Sequence, residues 1–196
     1  ERIRFVSPHP KDFTDDVIDA IAKCEKVSKL VHLPLQSGST KVLKLMNRKY
    51  TKEQYLDLVK KMKDRIPNVK FSSDIIVGFA GETEEDFEDT LDVVRKVNFE
   101  QIFMFIYSIR VGTPGAKMPN QVPDEIKHKR FDRLKKLYED SVKENNQAYI
   151  GKTEKILVEG CSKNNEEMLT GRTDSNKVVV FAGDKSLIGN SILVKI

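Results

Sequence analysis

The 196-residue chain carries a formal net charge of +4, with 39% hydrophobic and 33% charged residues, enough to bury a core of its own. No apolar run approaches the roughly 18 residues of a membrane span and no signal peptide is visible, so no membrane partner and a cytoplasmic setting are expected. Lys and Arg form no dense block, so charge permits nucleic-acid contact without demanding it. Cys24 and Cys161 lie far apart, and with His9, His32 and His128 they form no metal-ligand set. Both read as unpaired thiols of a reducing compartment. The chain begins at Glu1 with a strand-like run, as a piece of a longer protein would.

Arg2 to Val6 alternates polar and apolar residues and ends at Ser7-Pro8-His9-Pro10, which predicts a short strand entering a rigid turn. Phe13, Val17, Ile18 and Ile21 follow at helical spacing. Leu30 to Leu35 is a second strand, ending in Gln36-Ser37-Gly38-Ser39, where a parallel strand presents polar groups to a ligand. A lone histidine in an apolar strand is more often a hydrogen-bonded core residue than a base, and this applies to His32 as to His9. Ser39 caps a short helix from Thr40 to Met46. Arg48 beyond it is either a solvated helix-end charge or a planar fork for a ligand carboxylate. Thr51-x-x-Gln54 is a capping box, and Tyr55, Leu58, Val59 and Met62 give its helix one apolar face up to Arg65.

The stretch from Ser72 to Asp86 organises the chain. A buried strand, Val69 to Val77, runs into Gly78 and Gly81 and then into Thr83-x-x-Asp86, a helix start. Glycines let a ligand approach the backbone closely, and in α/β folds ligands sit at the carboxyl ends of strands. Glu82, Glu84, Glu85 and Asp86 in that first turn disfavour an anion and favour a neutral or cationic guest such as a sulfonium nucleoside. Turn glycines with no ligand are the competing reading. A helix to Val97 and a fourth strand, Gln101 to Tyr107, follow. That strand's continuous apolar character suggests cover on both faces, and Ser108 to Gly115 forms a polar loop after it.

Four alternations of strand and helix predict parallel βα units too few to close a barrel. A charged helix opens at Asp124 and leads to about Ala148. The pattern then changes to short strands at Lys155–Val158, Met168–Gly171, Lys177–Phe181 and Ser191–Val194, which predicts a small antiparallel β-barrel or sandwich. The expected domains are therefore 1–147 and 148–196. The polar loop from Gly171 to Lys177 reads as a solvated turn or an RNA contact, and small barrels that hold single strands favour the second.

His32-Leu33-Pro34-Leu35-Gln36-Ser37-Gly38-Ser39, Met46-Asn47-Arg48-Lys49-Tyr50-Thr51, Ser73 to Thr83, and Tyr107-Ser108-x-Arg110-x-Gly112-Thr113-Pro114 together resemble the successive motifs of the radical S-adenosylmethionine methylthiotransferases. The C-terminal strands resemble their TRAM module. The loop 171–177 and Met46-Asn47-Arg48 look most like the MiaB-type members acting on tRNA. The resemblance implies an α/β fold, an incomplete parallel (βα) barrel of the radical-SAM type followed by a small antiparallel TRAM-like β-barrel. It implies methylthiolation of N6-isopentenyl-adenosine at position 37, in the anticodon stem-loop of tRNA, with S-adenosylmethionine and two 4Fe–4S clusters. It does not name the sulfur donor. By position Gln36 and Ser37 resemble ribose-side contacts, Arg48 a carboxylate clamp, and Ile76 with Gly78 the adenine-side strand. Ser7 and Asp74 belong to the same candidate pocket, and Arg172 and Lys177 are candidate RNA contacts.

The family's Cys-x-x-x-Cys-x-x-Cys motif and the three cysteines of its N-terminal domain are absent, and Ala80 replaces a usual proline. The expectation is a C-terminal part with roughly four of six barrel strands, holding no cluster ligands and inactive by itself. Competing readings are a methylthiotransferase for a ribosomal protein or for threonylcarbamoyl-adenosine, and a non-catalytic RNA-binding module. A dinucleotide enzyme lacks its G-x-G-x-x-G, and no phosphate-binding G-x-x-x-x-G-K-S/T loop is present.

Overall fold

A computed structural model describes residues 2–6 and 9–196; Ser7, a candidate cofactor contact, lies outside them. Three strands, β1 (Leu30–His32), β2 (Lys70–Val77) and β3 (Gln101–Ile106), form a parallel sheet in the order β1-β2-β3. The register sets His32 beside Ser72, Asp74 beside Phe103 and Ile76 beside Phe105. Because strand side chains alternate between faces, Val31, Phe71, Ile75, Val77 and Ile102 point the other way, into the core.

That core is closed by α1 (Asp15–Lys23), α3 (Lys52–Arg65), α4 (Glu84–Val97) and α5 (Asp124–Gln147), which bury Ile18, Tyr55, Met62, Phe87, Leu91 and Leu134. Capping boxes read from the sequence start two of them. Thr51 and Gln54 exchange side-chain and backbone bonds at α3, and Thr83 and Asp86 do so at α4. The short α2 (Thr40–Leu45) is capped by Ser39, whose Oγ accepts from the Val42 N–H.

Two expectations are corrected. Arg2 to Val6 does not form a fourth strand: one parallel bridge joins Ile3 to Val27. Arg2 and Arg4 reach instead to residues 172–176, and Val6 is 85% exposed. Nor is β3 covered on both faces. Phe103 and Phe105 are 43% and 51% exposed, because α5 packs on one side of the strand only and the concave side stays open.

Beyond α5 a second sheet forms from β4 (Thr153–Ser162), β5 (Asn165–Arg172), β6 (Val178–Ala182) and β7 (Ser191–Lys195), all antiparallel, in the order β6-β5-β4-β7. Register shifts at Val158/Gly160 and Cys161/Ser162 curl it into a half-barrel over Ile156, Val158 and Leu169. None of the described helices is long and apolar enough to cross a membrane.

Asp86 ties the sheet's loops to α4. Its carboxylate accepts from Ser39 Oγ at 2.6 Å, Lys41 Nζ at 2.7 Å and the Thr83 N–H at 2.9 Å. Burial opposes its charge, but these donors outweigh burial and hold its pKa down at about 2. A depressed carboxylate stabilises the fold above its unfolded pKa, and that contribution is lost as pH falls through the folded value. Asp86→Ala is expected to cost about 2–3 kcal/mol at neutral pH. The deficit should shrink between about pH 4 and pH 2, where the native protein loses the same contribution; urea unfolding across that range measures it.

Candidate active site at the strand ends

The C-terminal ends of β1, β2 and β3 open onto a cleft of about 710 Å³ lined by Gln36, Arg48, Asp74, Ile76, Phe79, Phe105 and Tyr107, with the 108–115 loop. Its size suits a small-molecule ligand. Gln36 stands at φ +66°, in the left-handed region that a side chain rarely adopts. Two backbone bonds hold it there: its N–H donates to Asp74 O at 2.8 Å and its carbonyl accepts from the Ile76 N–H at 2.9 Å. Such strain persists where the surroundings fix it, typically around a ligand. Asn47, at φ +58°, ends the α2 segment, and the Arg48 N–H donates back to Leu43 O at 2.8 Å. That turn aims Arg48 into the cleft, and among the described residues it enters no ion pair. Across the cleft Tyr107 packs on Phe79, ring centres 4.7 Å apart.

The candidate residues separate here. Gln36, Arg48, Asp74 and Ile76 share the cleft wall, whereas Ser37 and Gly78 turn away from it. Ser37 is fully buried, its Oγ accepting from the Ser39 N–H at 3.2 Å and lying 3.5 Å from Thr90 Oγ1. A Cβ on Gly38 would stand 2.4 Å from Thr90 Cα and 2.5 Å from Asp89 O. The missing side chain therefore serves the approach of α4 to the sheet, not a ligand's approach to the turn. Gly78, at φ +75°, faces α5: a Cβ there would lie 2.3 Å from Lys127 Cγ. Its N–H donates to Glu82 Oε1 at 3.0 Å.

The acidic first turn of α4 is met by α5. Arg130 Nη1 lies 2.8 Å from Glu82 Oε1 with both side chains nearly inaccessible, and Arg130 Nε lies 3.3 Å from Glu84 Oε2. Burial pushes the Glu82 carboxyl up, against the Gly78 N–H and the Arg130 charge, which favour its ionised form. Arg133 pairs with both Glu84 and Glu88. These carboxylates anchor a helix.

A second chamber of about 420 Å³ lies toward the other end of the strands, on the same concave face. In it His32 Nδ1 is 3.0 Å from Ser72 Oγ and Nε2 is 3.5 Å from Asp74 Oδ2, so this histidine is a hydrogen-bonded one. His9 is structural: its Nδ1 accepts from the Lys11 N–H at the start of a 3₁₀ turn, and its ring meets Tyr50 edge-on. Burial, then the charges of Arg48 and Lys11, hold its pKa below the usual histidine value.

Arg172 and Lys177 lie at the junction of the two sheets. Arg172 Nε is 3.0 Å from Glu159 Oε2. Lys177 Nζ is 2.5 Å from Glu100 Oε1 and stands over the Tyr149 ring. The contact to Glu100 is an ion pair without hydrogen-bond angles, since neither carboxylate oxygen finds a hydrogen-bond donor. Among the described residues no group of three His, Cys, Asp or Glu side chains is placed to hold a metal, and both cysteines are free thiols.

The radical SAM superfamily model matches residues 1–94, and the TRAM domain model matches residues 147–196. Over all 196 residues the chain is 57% identical to the tRNA-2-methylthio-N(6)-dimethylallyladenosine synthase of Clostridium botulinum strain Hall, and 56% identical to the synthase so named in Acetivibrio thermocellus. It spans 44% and 41% of those relatives' lengths. Among solved structures, Escherichia coli coproporphyrinogen III oxidase, titled a radical SAM enzyme, aligns over 93% of this chain and 54% of its own. The TM-score is 0.58 at 14% identity, a likeness of fold alone. The superfamily implies S-adenosylmethionine and iron–sulfur chemistry in general. Phe79, Phe105 and Tyr107 line this cleft without having been singled out from sequence; their aromatic character next to the glycine turn and at the end of the last parallel strand was the available signal.

Two glycine substitutions test this packing. Gly38→Ala is expected to destabilise the fold by several kcal/mol, because backbone of α4 must move. Gly78→Ala, at a positive φ and against Lys127, should cost about 1–3 kcal/mol. Thermal and denaturant unfolding of both variants checks the order.

Proposed function

We propose that the protein containing this chain is a tRNA methylthiotransferase. It converts N6-isopentenyl-adenosine at position 37, in the anticodon stem-loop, to its 2-methylthio derivative, and binds S-adenosylmethionine in the 710 Å³ cleft. The observation that carries this reading is the unbroken 55–57% identity across both domains to synthases named for that product. When bound, S-adenosylmethionine supplies a 5′-deoxyadenosyl radical and a methyl group.

The residues present fit that cofactor. Arg48, without an ion-pair partner among the described residues, offers a planar fork to its carboxylate. Gln36 presents an amide that donates and accepts, as a ribose requires. Ile76 and the aromatic wall of Phe79, Phe105 and Tyr107 give its adenine an apolar seat. Asp74, on the same wall, adds a negative charge that favours a sulfonium. No group of side chains described here fits an iron–sulfur cluster, so the proposal places both 4Fe–4S clusters on residues outside this chain. The TRAM domain supplies the grip on tRNA. The setting is cytoplasmic, where tRNA is.

The deciding experiment uses the full-length protein with reconstituted clusters, assayed for 5′-deoxyadenosine and, by mass analysis, for the methylthio nucleoside in tRNA. Formation of both is expected, and a reconstituted enzyme that never makes 5′-deoxyadenosine overturns the reading. In the same protein Arg48→Ala should weaken S-adenosylmethionine binding about 10–100-fold, the worth of a charged hydrogen-bonded contact. Gln36→Gly should also weaken binding while leaving the melting temperature equal or higher, because glycine relieves the positive φ.

A further inference from the structure

We infer that the loop 172–177 of the C-terminal domain is a lock that fixes the second sheet to the radical SAM domain and walls one end of its concave chamber, and is not an RNA contact. Three successive loop carbonyls accept hydrogen bonds from the other domain. Arg2 Nη1 donates to Arg172 O at 3.1 Å and to Thr173 O at 3.0 Å, and Ser28 Oγ donates to Asp174 O at 2.8 Å. The Asp174 carboxylate is taken from two sides, by Arg2 Nε at 3.1 Å and by the Lys29 N–H at 2.8 Å. At the loop's far end Lys177 is paired with Glu100, whose side chain is 3% exposed.

The loop is stapled to itself in the shape these contacts need. The Thr173 N–H donates to Lys177 O at 2.9 Å, the Lys177 N–H donates to Thr173 Oγ1 at 3.0 Å, and Asn176 takes φ +68°. A loop that grips phosphates keeps its cations and N–H groups outward. Here the lysine faces a buried carboxylate, and the loop carries an aspartate that would repel a phosphate. Asn176, bonded to Arg4, lines the 420 Å³ chamber together with His32, Ser72 and Asp74. The docked loop is therefore part of the chamber that the concave face encloses. On the methylthiotransferase reading, the lock holds the RNA-gripping sheet at a fixed distance from the reacting centre; its existence does not depend on that reading.

Amide hydrogen exchange on the full-length protein tests the lock without using activity. In the free protein the amides of Lys29, Thr173, Asn176 and Lys177 should be protected, with little further slowing on adding tRNA. Asp174→Ala should speed exchange at Lys29 on the order of tenfold or more, together with the loop. Asp174→Asn keeps an acceptor for Lys29 but gives no charge to Arg2, and should fall between; it serves if the alanine variant does not fold. A loop that exchanges freely until tRNA is added would overturn the proposal in favour of an RNA contact, as would an unchanged Lys29 amide in Asp174→Ala. If methylthiolation is absent from the wild-type protein while these exchange results hold, the functional reading fails and the lock stands.

Discussion

Strand β2 has a parallel neighbour on each side, and its register decides what every residue of the cleft can touch. With Ser72 beside His32 and Ile76 beside Phe105, the even-numbered positions of β2 face the open concavity and its odd-numbered ones face the helices. A slip of one residue would send Ile75 and Val77 to solvent and Asp74 into the core, at the cost of lost apolar burial and a desolvated charge. The strands are thus tied to one pairing by hydrophobic burial. Gln36, joined to Ile75 by a backbone bridge past the end of β1, is carried into the cleft by the same register.

Around that sheet, charged groups fix where the loops stop. Asp86 gathers the caps of α2 and α4 into one network, and Glu82 binds the Gly78 turn to Arg130 of α5. A buried ion pair such as Glu82–Arg130 adds little net stability, because desolvation offsets the attraction. It permits one arrangement of the turn and the helix and disfavours others. The acidic turn thereby shapes the cleft rim from behind and contributes no charge to the cleft interior.

The junction of the two sheets follows the same logic with backbone acceptors. The carbonyls of 172–174 accept hydrogen bonds from Arg2 and Ser28 across the junction. A charged pair, Lys177 with Glu100, stands at one edge of this contact and Arg2 with Asp174 at the other. The 420 Å³ chamber then has walls from both domains.

By itself the sequence determined the elements and their order. The capping boxes at Thr51 and Thr83, the alternating strands after residue 150, and the motif series from His32 to Pro114 are local patterns, since propensity, capping and hydrophobic period act within a few residues. From these came the α/β and β division, the radical SAM resemblance and the candidate residues Gln36, Arg48, Asp74 and Ile76, which share one cleft wall. Tertiary structure decided the direction in which neighbouring residues face. Gln36 points to the cleft while Ser37 packs on Thr90, Gly38 and Gly78 make room for helices, and the basic ends of the 172–177 loop meet Glu159 and Glu100. None of this was legible along the chain, because the partners lie 13 to about 170 residues away. Only packing determines which of two faces such a partner covers.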